Sequence, residues 1–330
     1  MKIAITGGRG FIGKLLVKRL LKQGHALRVL SRNPLEMGDF PPDVESVAGD
    51  LADPDVELAP LVDGVELLFH CAAEIRNKAA MEVVNVEGTR KLIEAASGNV
   101  RRWVQLSSVG VYGPVLEGRV NEDWPHAPQG LYEITKERAD CLVDEAAQAG
   151  AFERVTLQPS NVFGPGMVNR SLFQMIHMIN QGMFFFIGKP GASANYVPVE
   201  QVVDALMACG FRSKAVGRDY IISDWRTLEH FVGTICEALA HGRVRWRVPM
   251  WLARLGAFPS RYSARWPLNQ SRVDNLTLRS RYDTGRIIQE LAFRPTLSQE
   301  MGLYNLVDQW REEQKAQQVE VVQSADALGG

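Results

Sequence analysis

The first thirteen residues constrain this chain most. An apolar run, Met1 to Ile5, passes into Thr6-Gly7-Gly8-Arg9-Gly10-Phe11-Ile12-Gly13 and then into the helical pattern Leu15, Leu16, Leu20, Leu21. Strand, glycine-rich turn and helix in that order form a pyrophosphate cradle. Gly7 can take the tight turn, Gly10 lets a phosphate approach the backbone, and Gly13 lets the helix pack against the strand. The helix N-terminus adds unpaired N–H donors and about half a positive charge. A dinucleotide is therefore the first ligand expected, although the same glycines would also serve a plain strand-to-helix turn.

The chain has 330 residues, 46% of them hydrophobic and 23% charged, enough to bury a large core in one large or two closely joined domains. A net charge of −1 argues against a general nucleic-acid binder. Cys71, Cys141, Cys209 and Cys236 form no C-x-x-C pair and suit buried thiols, which points to a reducing compartment and hence the cytoplasm. His25, His70, His126, His177, His230 and His241 lack the spacings that place two imidazoles on one metal, so no metal is expected. No secretory signal is expected, and no run approaches the roughly eighteen apolar residues of a membrane span.

Short β-rich runs at 27–30, 44–47, 67–69, 103–106, 155–157 and 220–222 alternate with helical stretches such as 80–96 and 132–149. That alternation predicts an α/β fold with a doubly wound parallel sheet. From about Gly164 the alternation fails, and a smaller, mostly helical C-terminal substrate lobe is expected, with the chain returning to the sheet at 196–211 and 220–223. The dinucleotide domain is expected over 1–165 and 196–225, the lobe over 166–195 and 226–312, and a frayed tail over 313–330. Residues 243–272 hold seven arginines among Trp246, Trp251 and Trp266 with no acidic residue. An anion-binding face, an amphipathic membrane surface and a solvated helix face all use these ingredients, and a membrane partner is not the expectation.

A second motif, Tyr132-Glu133-Ile134-Thr135-Lys136, places a tyrosine and a lysine on one helix face, after the strand end Leu106-Ser107-Ser108. Here the chain resembles the extended short-chain dehydrogenase/reductases, which include sugar-nucleotide epimerases, dehydratases and reductases and the 3β-hydroxysteroid dehydrogenase and dihydroflavonol reductase relatives. The resemblance covers roughly 1–310. It rests on Thr6 to Gly13, Gly49-Asp50-Leu51, His70-Cys71-Ala72-Ala73, Asn85 to Thr89, Ser107 to Gly113, Tyr132-x-x-x-Lys136 and Gln158 to Gly166. It implies a Rossmann fold, with Tyr132 exchanging a proton with the substrate oxygen while the nicotinamide exchanges a hydride with carbon. A tyrosine titrates near pH 10, so Lys136 and the oxidised nicotinamide are expected to favour its phenolate. Lys136 is also expected to hold the ribose, and Ser108 the substrate oxygen. For Ser108 the bland alternative is a strand-end hydroxyl satisfying backbone. Ser107 is expected to be a cofactor or structural contact.

The remaining cofactor contacts implied are Gly7, Gly10, Phe11, Ile12, Gly13, Asp50 at the adenine, Leu51, Ala72, Ala73, Pro159, Asn161 and Val162. The second strand ends Leu30-Ser31-Arg32-Asn33 without the carboxylate that a ribose 2′-OH would prefer, and Arg32 favours NADP over NAD. Ser108-Val109-Gly110 stands where dehydratases carry Thr-Asp-Glu, which argues against dehydration. Ala194-Asn195 stands where many sugar-nucleotide enzymes carry Arg-Asp, and Gln158 replaces a common arginine. A sugar nucleotide then needs another cation, with Arg170 and the arginine-rich segment 243–272 as candidates, and Asn161 is the other residue expected on the substrate side.

The leading reading is an NADP(H)-dependent oxidoreductase of a secondary alcohol or ketone, with a 4-keto sugar nucleotide as one candidate substrate. The alternatives are a nucleotide-sugar epimerase retaining NAD, a hydroxysteroid-type dehydrogenase whose apolar substrate Met183 to Phe186 could line, and a non-catalytic NADP sensor. The resemblance implies a homodimer built on the helices at 80–96 and around Tyr132.

Overall fold

The computed structural model describes residues 1–33, 40, 41, 43–257 and 270–328, the side chains of 271 and 317–328 excepted. The strands are β1 (Lys2–Thr6), β2 (Ala26–Ser31), β3 (Glu45–Ala48), β4 (Leu67–His70), β5 (Arg102–Leu106), β6 (Glu117–Val120) and β7 (Glu153–Pro159). There follow β8 (Asn161–Phe163), β9 (Phe186–Ile187), β10 (Ser193–Pro198), β11 (Asp219–Ile222), β12 (Asp224–Thr227), β13 (Arg247–Val248) and β14 (Arg279–Tyr282). The helices are α1 (Phe11–Lys22), α2 (Ala59–Val62), α3 (Lys78–Glu82), α4 (Gly88–Ala96), α5 (Leu131–Gln148) and α6 (Ser171–Asn180). The later ones are α7 (Val199–Phe211), α8 (Leu228–Ala238), α9 (Met250–Ala257), α10 (Gln270–Asn275), α11 (Gly285–Leu291) and α12 (Gln299–Leu328).

Seven strands form one parallel sheet in the order β11-β7-β5-β4-β1-β2-β3. Strand side chains alternate between faces, and each face needs its own cover. Ile3 and Ile5 of β1 join Leu16, Val17 and Leu20 of α1 and Val202, Val203 and Leu206 of α7. Ala4, between them, joins Leu61 of α2, Leu92 of α4 and Val143 of α5. Leu16 and Leu20 are fully buried, and each such side chain contributes about 1.5–3 kcal/mol. This is the doubly wound Rossmann arrangement. Strand order reverses between β1 and β4, so a ligand crevice opens outside the carboxyl ends of those two strands.

The second lobe packs Phe173 and Ile176 of α6 against Phe231 and Ile235 of α8 and Leu303, Leu306 and Val307 of α12. Three features depart from the sequence expectation. β10 does not return to the central sheet but pairs with β8 and β12 in a separate three-stranded sheet, after which α7 rejoins the main core. The helix expected over 80–96 is interrupted by a π turn at Val83–Glu87, which aims Asn85 into the interior. α12 continues to Leu328, so the chain expected to fray from 313 is helical there. Arg261, Arg265 and Trp266 of the arginine-rich segment lie outside the described residues.

Candidate active site

The glycine turn is held by its own backbone: Gly10 N–H donates to the Gly7 carbonyl at 2.9 Å, and Lys14 N–H to the Gly10 carbonyl at 2.9 Å. Gly7 has φ +69°, and a Cβ there would lie 2.6 Å from the Ala72 nitrogen. A Cβ on Gly13 would lie 2.1 Å from the Gly7 carbonyl oxygen. No acidic residue occupies the first turn of α1, leaving its amides to an anion.

From this turn a groove runs two ways. One arm, about 540 Å³, is lined by Arg9, Leu30, Ser31, Arg32, Gly49, Asp50, Leu51, Ala72, Ala73 and Glu74. The other, about 510 Å³, is lined by Phe11, Ile12, Gly13, Ser107, Ser108, Tyr132, Pro159, Ser160, Asn161, Val162, Leu172 and Tyr196 among others. Gly7, Gly10, Cys71 and Ala73 belong to both arms, so the two are continuous.

In the first arm no carboxylate ends β2. Ser31 bonds Asn33 instead, its hydroxyl donating to the Asn33 carbonyl at 3.0 Å. The two carboxylates that line it among the described residues are tied to backbone amides: Asp50 accepts from Ala52 at 3.0 Å, and Glu74 from Arg76 at 2.8 Å and Asn77 at 2.9 Å. Those amide bonds, with a smaller contribution from Arg32, hold the Glu74 carboxyl below the usual range. Arg9, whose guanidinium reaches the Asn33 carbonyl at 3.5 Å, joins Arg32 in lining this arm. Its role was not read from the sequence, where it was only the residue between two glycines.

A buried hydroxyl and imidazole chain connects the groove wall to the tyrosine helix. Thr89 Oγ1 donates to the Asn85 carbonyl at 2.7 Å, so it accepts from His70 Nε2 at 2.9 Å. The neutral ring therefore carries its proton on Nε2 and accepts at Nδ1 from Thr6 Oγ1 at 2.6 Å. Burial, with the Lys136 charge second, pushes the imidazole down to about 3. Thr6 Oγ1 in turn accepts from Ala72 N–H at 3.2 Å. Asn85 Nδ2 donates to the Glu74 carbonyl and to Thr135 Oγ1, both at 3.0 Å, and Thr135 Oγ1 donates to the Tyr132 carbonyl at 2.9 Å. The π turn is what lets Asn85 reach both sides.

Ser108 and Tyr132 both face the groove. Ser108 Oγ accepts from Gly110 N–H at 3.1 Å, capping the short turn Val109–Tyr112, and still has its proton to donate. Both readings of this serine are thus compatible in one side chain. Burial, then the charges of Asp140 and Glu133, push the Tyr132 phenol up to about 12. The protein's own groups thus hold this tyrosine protonated, and the oxidised nicotinamide invoked in the sequence reading is not among them. Lys136 sits one turn along α5, only 2% exposed and behind the groove wall rather than lining it. Burial lowers its ammonium, opposed by Asp140 and Cys71.

Asp140 was missed in the sequence, although it stands four residues beyond Lys136 on the same helix face. It accepts from Ser107 Oγ and, at 3.1 Å, from Gln105 Nε2. Ser107 therefore makes a structural contact while also lining the groove. Burial pushes the Asp140 carboxyl up to about 6 against the opposing pull of Lys136.

The far end of the second arm is walled by Ile75, Met167, Val168, Leu172 and Tyr196 with Asn161, Asn169 and Ser171. No charged side chain lines it among the described residues. Arg170, expected on the substrate side, instead pairs with Glu313 at 2.7 Å and lies over the Phe173 ring. Arg76 donates to the Val168 carbonyl at 3.1 Å. Phe184 and Phe186, considered as pocket lining, are core of the second lobe.

The family model for the NAD dependent epimerase/dehydratase family matches residues 3–223, the part of the chain that carries the cradle, Ser108, Tyr132 and Lys136. The chain belongs to that family. A 3β-hydroxysteroid dehydrogenase/Δ5→4-isomerase of Mycobacterium tuberculosis is 27% identical over 92% of this chain and 88% of its own length. Sterol demethylase protein B of Methylococcus capsulatus is 31% identical over 76% of this chain and 78% of its own. The crystal structure of a UDP-glucose 4-epimerase from Thermotoga maritima with UDP-glucose superposes with a TM-score of 0.74 at 20% identity, covering 95% of this chain and 99% of that one. As a family member the protein is an extended short-chain dehydrogenase/reductase, an oxidoreductase or epimerase that uses an NAD-type dinucleotide.

Proposed function

We propose that the protein is an NADP(H)-exchanging oxidoreductase that reduces a bulky, apolar ketone to a secondary alcohol, or runs the reverse reaction. The observation that carries this reading is the contrast between the two arms of the groove. Arg9 and Arg32 line the first arm with no carboxylate on β2, while the far end of the second arm has no charged lining among the described residues. This distribution of cations suits a dinucleotide 2′-phosphate in the first arm better than a substrate pyrophosphate in the second. The first arm and the amides of α1 would hold the dinucleotide, with Gly7 and Gly13 giving it room.

A nicotinamide dinucleotide in the groove supplies or accepts the hydride. Tyr132, held protonated, is suited to give its phenolic proton to the carbonyl oxygen as that oxygen gains charge. Ser108 Oγ, one lone pair engaged by Gly110 N–H, offers a hydrogen bond to the same oxygen and keeps its proton. Lys136, buried behind Tyr132, supplies positive charge that eases return of the phenol to its ionised form in alcohol oxidation. Asn161, tied through Nδ2 to the Asn195 carbonyl at 3.1 Å, keeps its carbonyl oxygen for the substrate.

The curated relatives named above for hydroxysteroid and sterol chemistry support an alicyclic substrate, whereas a 4-keto sugar nucleotide would have to recruit Arg170 or Arg76 from their present partners. All four cysteines are free, which fits the cytoplasm, and a homodimer through α3, α4 and α5 is part of the same reading. The test is turnover of alicyclic ketones with NADPH and with NADH, set beside UDP-glucose. NADPH-dependent reduction supports the reading. Conversion of UDP-glucose with retained NAD overturns it.

A further inference from the structure

We propose that the surface from Arg243 to Leu255 docks the protein on an anionic lipid bilayer. Trp246 is 78% exposed, Trp251 64%, Leu252 46% and Leu255 63%, four large apolar side chains within ten residues. Single exposed apolar residues are ordinary, but such a run is not. Around α9 the buried side is Ala253 and Ala257, which pack with Ile187 and Val273. At 100° per residue, Trp251, Leu255 and Leu252 then form one outward arc, with Arg254 on its flank. β13, paired with β9, fixes the approach to the helix, and Phe186 N–H donates to the Trp246 carbonyl at 2.9 Å. The arc is therefore built in advance of any contact.

Charge identifies the partner. Residues 243–272 hold seven arginines and no acid, while the other 300 residues hold 30 basic and 38 acidic side chains. The near-zero total hides a basic segment in an otherwise acidic sequence. Arg243 leans on Glu237 at 3.6 Å and Arg247 pairs with Glu229 at 2.7 Å. Arg245 and Arg254 are exposed and make no ion pair among the described residues. Tryptophans that seat at the headgroup level, leucines that enter the acyl boundary, and arginines that meet lipid phosphates are what an interfacial surface needs. The acidic remainder would be repelled from the same bilayer, which sets the orientation. The inference stands independently of the substrate reading.

The full-length protein is sedimented with vesicles of phosphatidylcholine alone and of equimolar phosphatidylcholine and phosphatidylglycerol, at low and high salt. Binding is expected only to the anionic vesicles and falls with salt. Arg245→Gln and Arg254→Gln should each lower the partition coefficient about fivefold. Trp251→Ser with Leu255→Ser should abolish it while dinucleotide binding is unchanged, which shows that the variant is folded. Failure to sediment with anionic vesicles, or binding that these substitutions leave intact, overturns the proposal. So does self-association without lipid that Trp251→Ser removes, which would give the surface to a second copy of the chain.

Discussion

Replacing Gly13 by alanine tests the cradle at its tightest point. The new Cβ would lie 2.1 Å from the Gly7 carbonyl oxygen and 2.8 Å from both the Gly7 carbonyl carbon and the Gly8 Cα. Carbon contacts are comfortable at about 3.5–4.0 Å, so the turn and α1 must part by roughly 1 Å. The obstacle is backbone, with no rotamer to relieve it, and overpacking of this kind costs about 1–3 kcal/mol. The same displacement moves the amides meant for the pyrophosphate. Loss of even one charge-assisted bond, about 1.5–3 kcal/mol, weakens dinucleotide binding at least about tenfold. Gly233 in α8 is the control, since a Cβ there meets nothing within 4 Å. Gly233→Ala should stabilise the protein by up to about 1 kcal/mol and leave binding alone. Urea denaturation and calorimetric titration with NADPH measure both quantities. If Gly13→Ala binds like the parent, the turn is not the pyrophosphate cradle.

Arg32→Ala should weaken NADPH about tenfold or more with little change for NADH, and Arg9→Ala should act in the same direction; equal losses for both dinucleotides would remove the 2′-phosphate assignment. Tyr132→Phe should lose about a hundredfold or more in turnover while retaining dinucleotide affinity, and retained turnover would refute its role as the proton donor. Because the phenol is pushed up to about 12, ketone reduction should show no loss from Tyr132 ionisation between about pH 6 and pH 9, and a fall tracking a group near 7 that vanishes in Tyr132→Phe would contradict this. Asp140 is raised to about 6 in the folded protein from about 4 unfolded, so its contribution favours folding at low pH and is lost as pH rises through that interval. Asp140→Asn should flatten the stability profile there in urea titrations, and an unchanged slope would show that another group sets it.

How much could be read in advance depended on whether a residue's role was local. Gly7, Gly10 and Gly13 are legible because a strand, a turn and a helix within thirteen residues already define what their backbone must do. Tyr132 and Lys136 share a face by spacing alone, and Asp140 could have been found by extending the same count one more turn. The π turn at Val83–Glu87 was not legible, because it is stabilised by what Asn85 reaches, namely Glu74 and Thr135 from other elements. The rise at Tyr132 was not legible for a similar reason: lysine proximity was visible in the spacing, but the depth of burial was not. β10 reads as a sheet strand on pattern, and only the packing of β8 and β12 beside it decides which sheet. Arg170 looked available until Glu313, far along the chain, took it.

The most direct test of the account is to denature the purified protein, identify any nucleotide released by mass spectrometry, and measure exchange of the native protein with added NADPH. The account predicts an empty or freely exchanging site that prefers NADPH to NADH by about tenfold or more. Stoichiometric NAD that survives purification and resists exchange would contradict it and assign the groove to an epimerase.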